Sequence, residues 1–279
     1  MRLFVLFAIA LGIGQAQRMD GSFERTLSVT GFVDLDLVTD AGGIFIVPGP
    51  PNTVRIRGVL KAENNWFGGG NVEGRMRELE AHPPIEQSGN TIRVAARDRS
   101  LLRGIAMRLE IEVPHESRLR ARADSGGINV RGIKGPVDCR TDSGGIHATE
   151  IDGEVRAAAD SGGIHIRRIN GPVHAHADSG GIEALEIAGA VDAEVDSGGV
   201  RVSQTTPAVI KARTDSGGTV ITLAKTGGYD IRAHADSGRI TAPDVSVSGT
   251  VSKHDMNGRI RGGGPLVDVR ADSGHVDIR

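Results

Sequence analysis

The amino-acid sequence predicts an all-β fold: a right-handed parallel β-solenoid, or β-helix, with two-strand coils of about 18 residues. The tetrapeptide Asp-Ser-Gly-Gly occurs six times, and its first four intervals are 18 residues each. Apolar and polar residues alternate on both sides of it, as in strands with one buried face. Each position of the repeat also keeps its residue type. A right-handed winding is expected because parallel crossovers nearly always take that hand.

Residues 1–16 are predicted to be a secretory signal peptide. Met1-Arg2 supplies the positive start, and Leu3 to Ile13 form an apolar run too short to span a bilayer comfortably. Gly14-Gln15-Ala16 offers small residues for cleavage. We therefore expect an exported protein, periplasmic or extracellular, with no transmembrane segment in the mature chain.

Residues 17–115 are predicted to hold the first coils together with an insertion that caps the amino-terminal end. Val33, Leu35 and Leu37 lead into an early corner at residues 40–43. Val54 and Ile56 are expected to continue that coil.

The capping insertion is predicted to contain a short helix and further strands. Asn71 can cap a helix that runs through Ala81 and stops before Pro83-Pro84. Residues 85–94, with turn residues at 88–90, are typical of a hairpin, and residues 105–113 of another strand.

Residues 116–279 are predicted to be the regular solenoid repeats. Five residues before each corner Asp stands Leu, Val or Ile, and three residues before it stands Ala or Cys. Weaker corners are expected at Asp236, Asp255 and Asp272, and the chain then ends without an obvious cap. The predicted structural turn residues are Asp124, Gly126, Gly127, Asp142, Gly144, Gly145, Asp160, Gly162, Gly163, Asp178, Gly180, Gly181, Asp196, Gly198, Gly199, Asp215, Gly217 and Gly218.

Composition excludes some classes of protein. The formal net charge is −2, and no stretch concentrates Lys and Arg with aromatic residues, so a nucleic-acid partner is not expected. The single cysteine, Cys139, cannot form an intramolecular disulfide and occupies an inward position filled elsewhere by Ala. A small packed side chain is the favoured interpretation, and a reactive thiol is the alternative.

The corner tetrapeptide resembles the nucleophile segment of trypsin-like proteases, but six equivalent serines have no single partner histidine. No catalytic residue and no cofactor are predicted. Instead, the Asp is expected to accept bonds from the N–H groups two and three residues on, while the glycines permit the turn.

Metal binding is the weaker alternative for the corners. Stacked carboxylates about 4.8 Å apart repel one another and could attract cations. Its candidate ligands are Asp142, Asp160, Asp178, His147 and His165. Thermal melts with and without calcium distinguish a metal site from a purely structural turn.

Trp66 and Phe67 are the candidate ligand-binding residues. They lie together in a glycine-rich segment, and the chain has one Trp in total. They could stack on a sugar or touch a lipid headgroup, or they could plug the end of the solenoid. Substituting Trp66 by Ala would unfold the protein if it is a plug and leave the fold intact if it is a binding residue.

The repeated Asp-Ser-Gly-Gly-Ile turns and the segment Gly21-Ser22-Phe23-Glu24-Arg25-Thr26-Leu27-Ser28-Val29 are similar to those of one family. It is the bacterial putative-adhesin family of β-strand-repeat domains. The resemblance extends from about Gly21 to Arg279. It implies an exported, single-stranded β-helix, and it implies no catalytic residue.

These observations favour a non-catalytic extracytoplasmic β-solenoid that acts as an adhesin-like binding or structural scaffold at the cell envelope. Its partner would be a cell-surface glycan or an envelope protein. Two alternatives remain open at this point: a polysaccharide lyase or hydrolase built on a β-helix, and a protein that self-associates end to end through an uncapped terminus.

Overall fold

The structure is a computed structural model that describes residues 20–62, 71–95 and 99–279. The fold is all-β, and 23 strands form one long, unclosed sheet. Beside them stand the helix α1 (Val72–Ala81) and a short 3-10 helix (Arg99–Leu102). Within the described residues, no helix has the length and apolar character needed to cross a membrane.

The strands follow one another along the chain in short segments, most of them four to ten residues long. They are β1 (Asp20–Ser28), β2 (Val33–Ala41), β3 (Ile44–Pro48), β4 (Thr53–Ala62), β5 (Ile85–Ser88), β6 (Thr91–Val94), β7 (Ile105–Val113), β8 (Ser117–Ser125), β9 (Ile128–Arg131), β10 (Val137–Ser143), β11 (Ile146–Ile151), β12 (Val155–Ser161), β13 (Ile164–Ile169), β14 (Val173–Ser179), β15 (Ile182–Ile187), β16 (Val191–Ser197), β17 (Val200–Gln204), β18 (Ile210–Ser216), β19 (Thr219–Thr222), β20 (Tyr229–Thr241), β21 (Val247–Val251), β22 (Asp255–Ile260) and β23 (Leu266–Ile278).

From β8 to β19 the chain forms a β-solenoid-like stack of two-strand coils. The strands before each corner (β8, β10, β12, β14, β16 and β18) pair in parallel as a first ladder. The strands after it (β9, β11, β13, β15, β17 and β19) pair in parallel as a second ladder. Val155 lies opposite Val137 on one side and Val173 on the other, so the 18-residue interval equals one step between neighbouring coils.

The core runs along the inside of this stack. In the coil that contains β12 and β13, Val155, Ala157, Ile164 and Ile166 point inward and are at most 4% exposed. Each buried Ile or Val stabilises the fold by roughly 1.5–3 kcal/mol, and every coil repeats the contribution. Cys139 belongs to the same core at 1% exposure, and burial raises the pKa of its thiol to about 12. This placement agrees with the small packed side chain expected from the sequence.

Each corner depends on its first glycine. Gly162 has a φ of 146°, and its N–H donates to the carbonyl oxygen of Ser179 in the next coil at 2.9 Å. A Cβ at Gly162 would lie 2.0 Å from the carbonyl oxygen of Gly144 in the preceding coil, so only glycine fits. The expected turn cap, in which Asp160 accepts the Gly162 N–H, is therefore wrong, because that N–H bonds between coils instead.

The amino-terminal end confirms several predicted elements. Helix α1 begins after Asn71, whose Oδ1 accepts a hydrogen bond from the Gly74 N–H at 2.8 Å. β5 and β6 form the predicted hairpin, and β7 is the predicted strand. β2 and β3 form the first coil and pair with β8 and β9. The expectation that Val54 and Ile56 continue that coil is wrong, because β4 runs antiparallel between β1 and β7.

The carboxyl-terminal end also corrects the sequence interpretation. The final strand, β23, does not end the stack: it pairs in parallel with β18 and β19 on one side and with β20 on the other. β22 and β21 then cover β20 through antiparallel pairing. Asp255 is not a corner residue, because it lies on β22 opposite His234. The described chain thus has a cap at the end where none was expected.

The corner of β18 and β19 offers a matched pair of substitutions. We expect Gly217→Ala to lower the free energy of unfolding by at least about 2 kcal/mol, because its φ is 146° and a Cβ would meet the Gly198 carbonyl oxygen at 1.9 Å. We expect Gly218→Ala to be neutral or to stabilise by about 0.4–1 kcal/mol, since the atom nearest to an added Cβ would be the His275 carbonyl oxygen at 3.7 Å. Equilibrium urea unfolding measures both, and equal losses at the two positions would contradict this account of the corner.

Candidate functional site

The outward side chains of the first ladder form two files of polar residues, which we call the charged face. Neighbouring members of a file are register partners on adjacent coils, about 4.8 Å apart. The first file is Arg120, Asp138, Arg156, His174, Asp192 and Lys211, and the second is Arg122, Arg140, Ala158, His176, Glu194 and Arg213. Because the coils are in register, this face repeats along the stack and suits an extended ligand.

The charged face is interrupted at Ala158. Its neighbours in the file, Arg140 and His176, carry long polar side chains, whereas Ala158 ends at a methyl group. The missing side chain leaves an open groove of about 430 Å³ in the surface. We call it the alanine groove, and its lining includes Arg122, Arg140, Arg156, His174, His176 and Glu194 around Ala158.

The two ends of the alanine groove differ in charge. Arg122, Arg140 and Arg156 lie toward one end, and Asp192 and Glu194 toward the other. Asp138 also lines the groove on the arginine side. This separation gives the site complementary contacts for a ligand that carries both acidic and basic groups, or for an acidic group placed at the arginine end.

Several groove residues already have partners. The Arg156 guanidinium lies 2.6 Å from a Glu154 carboxylate oxygen, which is also 3.5 Å from His174 Nε2. His176 Nε2 lies 3.0 Å from Asp178. The Arg140 guanidinium, in contrast, makes no hydrogen bond or ion pair with any residue that the structure describes. Arg140 is therefore the groove cation that is most available to a ligand.

The corner residues do not form a catalytic constellation. The predicted turn residues lie at the corners between the two ladders, where Ser143, Ser161 and Ser179 are exposed. Each corner Ser carbonyl accepts the glycine N–H of the preceding coil. Among the described residues, no hydrogen bond joins a corner serine hydroxyl to a histidine. The corners have a clear role in stacking, and nothing in their geometry orients a serine as a nucleophile.

The metal candidates lie along files and do not surround a point. His147 and His165 stack with ring centroids 4.9 Å apart, and His165 Nδ1 lies 3.3 Å from Glu183 Oε2. Burial and the charge of His165 lower the pKa of His147. Within residues 20–62, 71–95 and 99–279, no three His, Cys, Asp or Glu side chains are grouped to hold a metal ion, which leaves Asp142, Asp160 and Asp178 without a shared site.

His234 has two carboxylate partners near the carboxyl-terminal cap. Its Nδ1 lies 2.7 Å from Asp255, and its Nε2 lies 2.7 Å from Asp236. Both hydrogen bonds raise the pKa of His234, and the one to Asp255 contributes most. The contact therefore links the antiparallel strand β22 to the last corner of the stack.

The predicted binding pair Trp66 and Phe67 lies outside the described residues, as does the predicted signal peptide at 1–16. The alanine groove was not predicted. Its signal in the sequence is the single small residue, Ala158, in a column that is otherwise charged or histidine.

The family model described as Toastrack DUF4097 matches residues 76–279, and the chain belongs to this family. The solved structure of a putative adhesin from Bacteroides fragilis is similar in fold, with 12% identity, a TM-score of 0.52, and coverage of 92% of this chain and 97% of that one. A solved putative cell adhesion protein from Clostridium sporogenes is 14% identical over 92% of this chain and 98% of that one, with a TM-score of 0.26, too low to compare folds. No curated protein matches the chain. The resemblance to the putative-adhesin family is thus confirmed.

The two histidine environments predict opposite titration behaviour. We expect NMR of the ring protons to place the His234 midpoint above that of an ordinary histidine and the His147 midpoint below it. For His234 the charged form is favoured in the folded protein, so its contact stabilises the cap at pH values below the pKa of a free histidine. That stabilisation is lost as the pH rises through the folded value.

Two variants serve as controls for this titration. Asp255→Asn should move the His234 midpoint down, because it removes the hydrogen-bond partner that raises the pKa most. His165→Asn should move the His147 midpoint up, because it removes the neighbouring charge. Identical midpoints for the two histidines in the unaltered protein would contradict the described contacts.

Proposed function

We propose that this member of the Toastrack family is an exported, non-catalytic binding scaffold of the cell envelope, and that it contacts its ligand through the alanine groove on the charged face. The observation that carries the proposal is the interruption of an in-register charged file at Ala158, beside the unpartnered Arg140. A rigid stack with a polar groove across its coils is suited to binding, since its side chains are held in place by the ladders.

The chemistry of the groove indicates a charged glycan as the ligand class. Its lining side chains are guanidinium, imidazole and carboxylate groups, which can bond to the hydroxyl, carboxylate and amino groups of sugars. It contains no aromatic side chain other than histidine, so stacking on neutral sugars has little support here. We therefore favour a cell-surface glycan that carries acidic groups over a neutral polysaccharide.

The extracytoplasmic location rests on the sequence pattern of residues 1–16. Within the proposal, residues 17–115 provide the first coils and their cap, residues 116–279 provide the repeats, and the coils wind right-handed. The similar Bacteroides fragilis structure, which is named a putative adhesin, supports a binding role for the fold.

The two alternative functions have less support from the structure. A β-helix enzyme needs an oriented acid, base or nucleophile, and the described serines and carboxylates offer no such grouping. End-to-end assembly was suggested by an uncapped carboxyl terminus, but β21 and β22 cover that end of the described chain. The binding proposal requires neither catalysis nor an open end.

A glycan array that includes acidic polysaccharides tests the proposal. We expect the unaltered protein to bind charged glycans and to release no sugar products from them. Arg140→Ala should weaken binding about tenfold, because it removes a charge-assisted hydrogen bond. Ala158→Gln should weaken it similarly by filling the groove, while thermal melting shows that both variants remain folded.

Arg213→Ala is the matched control, since Arg213 is exposed on the same file but does not line the groove. Its binding should equal that of the unaltered protein. Failure to bind any charged glycan, or equal binding by the Ala158→Gln variant, would refute the groove as the site. Release of sugar products would instead support the enzyme alternative.

A further inference from the structure

The two rungs nearest the carboxyl-terminal end depart from the repeat at one position. Six corners have the sequence Asp-Ser-Gly-Gly, but the second glycine is replaced by Arg239 in one of these two rungs and by His275 in the other. The structure makes these residues register partners on β20 and β23. Two long polar side chains therefore stand side by side where the other corners have none.

A third basic residue joins them from the cap. Lys253 lies in the segment between β21 and β22, and its carbonyl oxygen accepts the Ile240 N–H at 2.9 Å. Arg239, Lys253 and His275 line one open groove of about 660 Å³ together with Gly238, Thr241 and Asp277. We call it the terminal groove. It lies apart from the alanine groove, with which it shares no residue.

The terminal groove has more positive charge than its own acidic residue balances. Arg239, Lys253 and His275 are exposed, and none of their side chains makes a hydrogen bond or ion pair with another described residue. Asp277 is the single carboxylate in the lining, and it is already held by Arg279 at 2.6 Å and by the Thr241 hydroxyl at 3.2 Å. Unpartnered cations gathered in one concave surface favour an anion as their partner.

We propose that the terminal groove binds a phosphate group. A phosphate monoester carries between one and two negative charges near neutral pH and offers several acceptor oxygens, so an arginine fork and a lysine can bond to it together. A carboxylate would use fewer of these donors. The source is either a soluble phosphorylated molecule or a phospholipid headgroup, and both present anionic phosphate oxygens to the groove.

Isothermal titration with inorganic pyrophosphate at low salt tests the phosphate chemistry. Arg239→Gly is the main variant: it restores the corner found in the six regular coils, so the fold should be retained, as a thermal melt can verify. We expect Arg239→Gly and Lys253→Ala each to weaken pyrophosphate binding about tenfold or more. Arg213→Ala removes a cation from the charged face and should leave the affinity unchanged.

Sedimentation with vesicles distinguishes the source. Binding to phosphatidylglycerol vesicles that is lost in Arg239→Gly would assign the phosphate to a lipid headgroup, whereas binding to pyrophosphate alone would assign it to a soluble molecule. The proposal is overturned if neither pyrophosphate nor the vesicles bind. It is also overturned if a folded Arg239→Gly protein binds both as well as the unaltered protein does. Neither result depends on the glycan proposed for the alanine groove.

Discussion

The close approach of backbone at the glycine corners is the constraint on which the rest of the structure depends. At each of the six Asp-Ser-Gly-Gly corners the first glycine N–H donates to a serine carbonyl of the next coil, while its Cα faces a glycine carbonyl of the preceding coil at a distance that excludes a Cβ. This contact carries the hydrogen bonding of the ladders around the corner without interruption. It also fixes the register, so that the inward columns of Val, Ala and Ile meet their equivalents and close a continuous core.

Because the coils are in register, each departure from the repeat changes the surface at one defined place. Where each position has the same neighbours in coil after coil, one different residue changes the surface locally and leaves the core untouched. Ala158 opens a groove in a charged file. Arg239 and His275 place long side chains at two corners where the regular coils have a glycine. The ion pairs on the strands of the second ladder differ in kind: Glu150 lies 2.8 Å from Arg131 and 2.7 Å from Arg168, and Arg131 lowers the pKa of Glu150. Both of those arginines have a carboxylate partner, whereas the two grooves retain unpartnered cations.

The repeats were predictable because their contacts recur at a constant sequence separation, so the column of Val137, Val155 and Val173 already shows which side chains meet. The ends were not predictable for a physical reason. From the sequence alone, Ser273 could lie next to Ser216 or beyond Ser237, because all three belong to Asp-Ser-Gly corners. Only the return of the chain through β21 and β22 places β23 between β18 and β20. Ala158 was also visible in the sequence as the one small residue at its repeat position. A groove there depends on how the side chains of Arg140 and His176 extend around it, and the alternation of apolar and polar residues does not predict their directions.

Cysteine crosslinking tests the in-register stack and its unexpected order most directly. Register partners lie about 4.8 Å apart, within the range of a disulfide. The account predicts that Ser216→Cys combined with Ser273→Cys forms a crosslink under mild oxidation, as does Ser143→Cys with Ser161→Cys, whereas Ser216→Cys with Ser237→Cys does not, being two rungs apart. The buried Cys139 should take no part. A crosslink between positions 216 and 237, with none between 216 and 273, would show that the coils stack in chain order and contradict the account.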